Sequence, residues 1–150
     1  MKYAILLALL NIFTTSLFSQ NPNPLYDSVM AKRLQADERG MKMYCLVILK
    51  TGPVKMPKGP GLDSLFNGHF ANMKSLADQK LLVLAGPFEK NQDQFRGLFI
   101  LNVSSKEEAL KLCESDPTVR AGILSPEIYP WYGSAALQEL NALHRSIQKN

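Results

Sequence analysis

The chain has 150 residues, with 17 Lys and Arg against 13 Asp and Glu and a formal net charge of +4. This length predicts one domain, and so small a basic excess, with no run of basic and aromatic residues, argues against nucleic acid as a partner. The two Cys and two His show no repeated ligand spacing, so we expect no metal site. No glycine-rich phosphate loop is present, and we expect no cofactor.

Residues 1–20 have the layout of a secretory signal peptide. Lys2 precedes a short apolar stretch, and small and polar residues follow that stretch up to Gln20. The stretch is shorter than the about 20 apolar residues that a membrane span needs. We therefore predict a signal peptide at 1–20 and a secreted or periplasmic protein with no stable membrane insertion after cleavage. A retained N-terminal anchor is the alternative.

An N-terminal arm is expected at residues 21–42. Asn and Pro alternate over 21–24, which predicts an extended linker. Residues 25–39 are compatible with a helix that Gly40 would end. The folded domain is expected to follow at 43–132.

The domain is predicted to open with a strand at 43–50, an apolar run typical of a strand that is covered on both faces. A loop rich in Pro and Gly follows at 51–61, and apolar residues at helical spacing predict a helix over 62–78. The later elements are a strand at 81–85 closed by Gly-Pro, a strand at 95–103, a helix at about 105–115 and a strand at 123–131. A last amphipathic helix is expected within residues 133–150.

The order strand, helix, strand, strand, helix, strand predicts an α+β fold, the ferredoxin-like βαββαβ antiparallel sheet with both helices on one face. Pro126 and Pro130 mark the last strand as an edge or irregular strand. Because the strands are apolar on both faces, the second face needs a cover. The same face of another copy is the simplest cover, so we predict a two-fold homodimer.

Two titratable residues are candidates for chemistry. His69 lies on the apolar face of the first helix, and Asp116 stands before Pro117 at the end of the second. In this topology both lie toward the same end of the sheet, and a carboxylate beside an imidazole makes an acid–base pair. The alternatives are a buried core histidine and an aspartate that ends a helix and forms a turn.

A substrate-binding region is expected at the same end of the sheet. The turn residues Gly86, Pro87 and Phe88 close the second strand there, and Arg96 and Arg120 belong to neighbouring segments. The arginines are candidates to hold an anionic ligand. Their alternative is the ordinary solvated surface charge.

The two cysteines leave two possibilities open. Cys45 lies in the first predicted strand and Cys113 on the apolar face of the second predicted helix. Export would permit a disulfide between them. Two buried free thiols are the other outcome, and the pattern favours it.

Three segments together, His69, the strand and turn at 81–88 and the Asp-Pro segment at 115–122, resemble the YCII-related family over about residues 43–131. The resemblance implies a small dimeric α/β-barrel domain with a candidate active site at His69 and Asp116. This family usually has a bulky apolar residue after Asp-Pro, where this chain has Thr118.

We therefore expect an exported YCII-like domain that binds a small molecule and pairs with itself. Its activity would be that of a cofactor-independent lyase or isomerase, using the His–Asp pair for proton transfer. The alternative is a non-catalytic dimeric module that binds or builds part of the cell envelope. The sequence names no substrate.

Overall fold

A computed structural model describes residues 23–149 of the chain. Its elements, in chain order, are α1 (Ser28–Arg33), β1 (Met41–Thr51), α2 (Pro60–Asp78), β2 (Leu82–Pro87), β3 (Phe95–Leu101), α3 (Lys106–Glu114), α4 (Pro117–Arg120), β4 (Leu124–Ser134), a 3-10 helix (Ala135–Glu139) and α5 (Leu140–Ile147). The strands form one sheet in the order β2-β3-β1-β4, and every neighbouring pair is antiparallel. The predicted ferredoxin-like α+β fold is confirmed.

Helices α2 and α3 cover one face of the sheet. Alternate residues of β1 point to this face and are buried, as the period of two in a strand requires. With side chains from β2, β3, β4 and both helices they form the main core: Cys45, Val47, Leu49, Leu76, Leu82, Phe99, Leu101, Ala109, Cys113 and Leu124. This packing fixes α2 against β3, which is where the candidate site lies.

The second face of the sheet is only partly covered by the chain itself. Tyr44, Val83 and Ile100 are buried there beneath Trp131 and Leu137, so the segment after β4 closes one end of the face. Farther along, apolar side chains of the same face are half-buried or exposed: Leu46, Ile48, Leu98 and Tyr129. The predicted apolar character of both faces is therefore present, but Trp131 and the 3-10 helix cover part of the second face.

The segment after α3 and the end of β4 differ from what the sequence predicted. The segment after α3 is not a simple turn, because Asp116 caps a short helix, α4, that begins at Pro117. Proline suits the first position of a helix, where its missing N–H would have no partner. Strand β4 is an edge strand that pairs with β1 alone, as Pro126 and Pro130 predicted. It continues to Ser134, so the expected last helix is divided into the 3-10 turn and α5.

The arm before β1 contains α1, a short helix with no buried residue. Asp27 Oδ1 accepts the N–H groups of Val29 and Met30, both at 2.9 Å, as expected of an N-terminal cap. Arg33 reaches Glu139 at 2.7 Å and so ties the arm to the segment after β4. Within residues 23–149, no helix is long and apolar enough to span a membrane. The predicted signal peptide, residues 1–20, lies outside the described residues.

Cys45 and Cys113 are both buried, free thiols. Burial raises the pKa of Cys113 to about 12, with smaller contributions in the same direction from Asp116 and from Cys45. Burial also raises the pKa of Cys45, and the charge of Glu108 adds to that rise. Of the two outcomes predicted for the cysteines, the structure shows the buried free thiols rather than the disulfide. Both thiols are held in the protonated form.

Candidate active site

The site centres on a contact between α2 and the start of α4. His69 Nδ1 lies 2.5 Å from Asp116 Oδ2, and the two residues are only 7% and 1% exposed. His69 belongs to α2 and Asp116 caps α4, so two separate elements position the pair. The structure thus joins the two residues that the sequence offered as candidates.

Gly68 makes this contact possible. A Cβ atom on Gly68 would lie 2.8 Å from Pro117 Cγ, closer than such atoms can approach. Glycine inside a helix destabilises it by about 0.5–1 kcal/mol relative to alanine, so its presence in the middle of α2 needs a reason. The close approach of α2 to α4 supplies one. Gly68 was not among the residues predicted from the sequence, although a glycine beside the candidate histidine was a visible signal.

Thr118 completes the surroundings of the aspartate. Its backbone N–H and its Oγ1 both donate to Asp116 Oδ1, at 2.8 and 2.7 Å. Burial alone would raise the pKa of Asp116, but the hydrogen bonds from His69 and from Thr118 outweigh burial and lower that pKa below its ordinary value. Asp116 is therefore a carboxylate at neutral pH. Thr118 is one of the groups that keep it ionised.

The charge of Asp116 decides the form of the histidine. An ionised carboxylate only accepts hydrogen bonds, so His69 Nδ1 must carry a proton and donate it. In the neutral ring Nε2 then holds a lone pair. No residue between 23 and 149 forms a hydrogen bond to Nε2. Nε2 is thus the polar atom of this ring that remains for a ligand.

Three phenylalanines surround the imidazole. Phe99 stacks on it with 6.0 Å between ring centroids and 20° between ring planes. Phe66 and Phe70 approach it edge-on, at 6.0 and 5.3 Å. Such aromatic neighbours fix the orientation of the imidazole ring and make its surroundings apolar.

The ring lines a cavity of about 360 Å³ between α2 and the ends of β2 and β3. This volume falls within the range of small-molecule pockets. His69 and Arg96 supply its polar side chains, and the other lining residues are apolar or glycine: Leu49, Phe66, Phe70, Met73, Ala85, Gly86, Pro87, Gly97, Phe99 and Leu124. An apolar chamber with two polar groups is suited to hold one small, largely apolar molecule in a fixed orientation.

The expected substrate-binding residues divide into two groups. Gly86, Pro87 and Arg96 line the cavity. Phe88 does not, because it packs on Phe95 at 5.5 Å, beyond the end of β2. Arg120 is also outside the lining, since its Nη1 donates 2.7 Å to the carbonyl oxygen of Ser115 and thereby closes the end of α3.

Most of the aromatic wall of the cavity was also not predicted from the sequence. Phe66 and Met73 lie on the same face of α2 as His69, one turn away in each direction, and Phe70 directly follows His69. The spacing of Phe66 and Met73 predicted a buried helix face, which is what apolar residues at such spacing usually form. Distinguishing a cavity wall from a core needs the position of the opposite strand, which the spacing does not contain.

No group of three or more His, Cys, Asp and Glu that could hold a metal occurs in the part of the chain that the structure describes. The chemistry available at the site from the chain itself is that of the imidazole, its carboxylate partner and the guanidinium of Arg96.

One of three comparisons with known proteins gives a family for this chain. No curated protein matches the sequence. Among solved structures, the chain is similar to 5-chloro-2-hydroxyhydroquinone dehydrochlorinase (TftG) from Burkholderia phenoliruptrix AC1100, solved in complex with 2,5-dihydroxybenzoquinone, at 18% identity and a TM-score of 0.39. The alignment covers 58% of this chain and 92% of that one. The sequence profile of the YCII-related domain matches residues 41–132, more than half of the chain, and the chain therefore belongs to the YCII-related family.

Proposed function

We propose that this protein is a small-molecule enzyme that transfers a proton with His69 as acid and base and Asp116 as the group that orients it. The observation that carries the proposal is the 2.5 Å contact between His69 Nδ1 and Asp116 Oδ2 at the wall of an apolar cavity. The reaction class is that of a lyase or isomerase acting on a small cyclic or phenolic compound. The residues themselves supply what such a proton transfer needs, without a cofactor.

The proposed step begins at Nε2. This nitrogen takes a proton from a carbon or oxygen of the bound compound, and the electron pair left behind forms a new double bond within it. The imidazolium that results is stabilised by the Asp116 carboxylate across Nδ1, as in other pairs of this kind. The proton then returns to a second atom of the same molecule in an isomerisation, or leaves with a departing halide or hydroxide in an elimination.

The environment of the pair supports this role over that of a core histidine. A histidine that only fills a core generally has both nitrogens satisfied, because an unpaired buried polar group is costly. Here Nδ1 alone has a partner among residues 23–149. In addition, Thr118 donates two hydrogen bonds to Asp116, so the carboxylate that accepts from Nδ1 of His69 stays ionised.

A homodimer through the second face of the sheet is part of the proposal. It is supported by the half-buried Leu46, Ile48 and Leu98 and by Tyr129, which is 49% exposed, all on that face. Contiguous apolar surface of this kind is uncommon on a monomer unless it meets a partner. A two-fold axis would place the same patch on itself.

Export is also proposed, on the pattern of residues 1–20 alone. The mature protein would then begin near Asn21 in a secreted or periplasmic location. Expression in an exporting bacterial host, followed by N-terminal sequencing of the exported fraction, tests this. A fraction that still begins at Met1 would contradict it.

The activity is tested with a panel of hydroxylated and halogenated ring compounds incubated with the protein in D₂O. Proton NMR would follow exchange of ring protons, double-bond migration and loss of halide or water. We expect turnover with at least one compound, its loss in His69→Ala and its retention in the matched control His144→Ala, because His144 lies on α5 and is exposed. A folded His69→Ala protein with unchanged turnover, or a wild-type protein that binds ring compounds without converting any, would favour the non-catalytic module.

A further inference from the structure

We infer that the cavity takes a small planar carboxylate, with Arg96 as the residue that recognises the anionic group. The inference deepens the proposed function, since it names the substrate class of the cavity at which His69 would act. Arg96 supports it by its position in β3 and by its lack of a partner, and the cavity supports it by its charge and its aromatic walls.

Arg96 is the extra residue of a β-bulge. Leu49 pairs with Gly97 and Lys50 pairs with Phe95, so Arg96 has no partner residue on β1. An extra residue of this kind breaks the alternation of side chains along a strand and re-aims one of them, and such bulges occur often beside active sites. The bulge explains how a strand that otherwise buries apolar residues brings one cation to the cavity lining.

The guanidinium of Arg96 has no hydrogen-bond or ion-pair partner in residues 23–149. Lys50, the β1 residue that pairs with Phe95, shows the contrast, because its Nζ binds Glu127 at 3.0 Å. All five donors of Arg96 are therefore available to a ligand. A planar guanidinium binds a carboxylate through two parallel hydrogen bonds, so its geometry favours this group.

The charged side chains of the cavity favour a ligand with a single negative charge. Among the side chains that line it, Arg96 is the permanent cation, and His69 is already paired with the Asp116 carboxylate. A phosphate monoester carries close to two charges at neutral pH, which is more than the single charge of Arg96, an exposed residue of the lining. A carboxylate carries one, which matches Arg96.

The walls select the rest of the molecule. Phe66, Phe70 and Phe99 present aromatic surface, which favours a flat ring in stacked or edge contact. At roughly 30 Å³ for each water-sized group, a cavity of about 360 Å³ has room for about a dozen non-hydrogen atoms. A substituted benzoate or a cyclic acid of that size fits both limits.

Calorimetric titration of the purified full chain with benzoate, with the neutral isostere benzamide and with phenyl phosphate tests the inference. We expect benzoate to bind at least about tenfold more tightly than benzamide, in keeping with the strength of charged hydrogen bonds, and more tightly than phenyl phosphate. Arg96→Gln should reduce benzoate binding to the level of benzamide and leave benzamide unchanged. Arg96→Lys, which keeps the charge and loses the two-pronged geometry, should fall between the wild type and Arg96→Gln.

The matched control is Arg145→Gln, which removes an exposed arginine of α5, outside the cavity lining, and should leave benzoate affinity unchanged. Equal binding of benzoate and benzamide would overturn the inference, and so would the absence of saturable benzoate binding at millimolar concentration, tighter binding of phenyl phosphate, or an Arg96→Gln protein with wild-type affinity. Thermal melting of each variant identifies any loss of fold.

The same titration of His69→Gln separates this inference from the proposed function. Benzoate binding that depends on Arg96 and persists in His69→Gln, in a protein without turnover, would leave the carboxylate site standing while the proton-transfer proposal fails. Turnover that needs His69 but is indifferent to Arg96→Gln and to a carboxylate on the substrate would do the reverse.

Discussion

Gly68 and Pro117 are in such close contact that a Cβ atom on Gly68 would lie 2.8 Å from Pro117 Cγ. This approach brings α2 against α4 and places His69 beside Asp116. The two residues that could do chemistry are thus held together by two that cannot.

Replacing Gly68 with alanine should therefore force α2 and α4 apart. Overpacking of this kind costs about 1–3 kcal/mol of stability, and we expect Gly68→Ala to fall in that range while weakening the His69–Asp116 contact. Urea unfolding measures the first effect, and the imidazole NMR signals of His69 report the second.

Gly61→Ala is the matched control in the same helix. A Cβ there would meet only the Met56 methyl group, at 2.8 Å, and that side chain is exposed and able to move. Its stability should stay within about 1 kcal/mol of the wild type, since alanine is favoured over glycine in a helix. Equal effects of the two substitutions would contradict the assigned role of Gly68.

The sequence predicted the fold well because its evidence was local and periodic. The apolar run at 43–50 and the helical spacing over 62–78 each identified an element within two residues of its observed bounds. Pro126 and Pro130 identified β4 as an edge strand for a physical reason, since proline has no N–H to donate and is tolerated where one side of the strand is unpaired. The order of elements then left the ferredoxin-like arrangement as the natural solution.

The site was less accessible to sequence reasoning, because it depends on distances between elements. Asp116 and His69 are distant along the chain, and only the packing of α4 on α2 decides that they meet. Helix α4 itself was missed, since the same Asp-Pro signal that caps it also predicts a turn. Arg120 and Arg96 looked equivalent in the sequence. In the structure they differ, because the bulge in β3 brings Arg96 to the cavity lining, whereas Arg120 donates to the carbonyl oxygen of Ser115.

The proposed dimer makes a separate prediction. A lysine at Ile48, in the half-buried part of the second sheet face, would place a charge in an apolar interface, so Ile48→Lys should shift the protein from two chains to one in a sedimentation experiment. The control Ile147→Lys changes a side chain of α5 that is 79% exposed and should leave the mass unchanged. A wild-type protein that sediments as one chain at micromolar concentration would end the dimer proposal.

The cysteines give a prediction about reactivity. The thiolate is the reactive form, and burial keeps Cys113 protonated by raising its pKa to about 12. Burial raises the pKa of Cys45 as well. We expect neither thiol to react with a disulfide reagent in the folded protein at pH 8, and both to react within the dead time once urea unfolds it. Rapid labelling of either in the folded state would contradict their assigned burial.

The hydroxyl of Thr118 should influence the acid–base behaviour of Asp116. Thr118→Val keeps the shape and the backbone N–H bond but removes the 2.7 Å hydrogen bond from Oγ1 to Asp116 Oδ1. The loss of a hydrogen bond to a charged group destabilises a protein by about 1.5–3 kcal/mol, and it should let the pKa of Asp116 rise toward its ordinary value. Urea unfolding at pH 7 and NMR titration of the carboxyl carbon measure the two effects. An unchanged Asp116 titration would mean that Thr118 has a packing role only.

The lowered pKa of Asp116 also predicts how stability depends on pH. The unfolded carboxyl titrates near pH 4 and the folded one below that, so between the two values the unfolded chain binds more protons and stability rises with pH. The contribution of Asp116 is therefore fully present above about pH 4 and is lost as the pH falls through the folded pKa. In Asp116→Asn this part of the acid limb should disappear. Urea unfolding at a series of pH values between 2 and 6 compares the two proteins, and parallel curves across that range would show that Asp116 is not the ionised partner of His69.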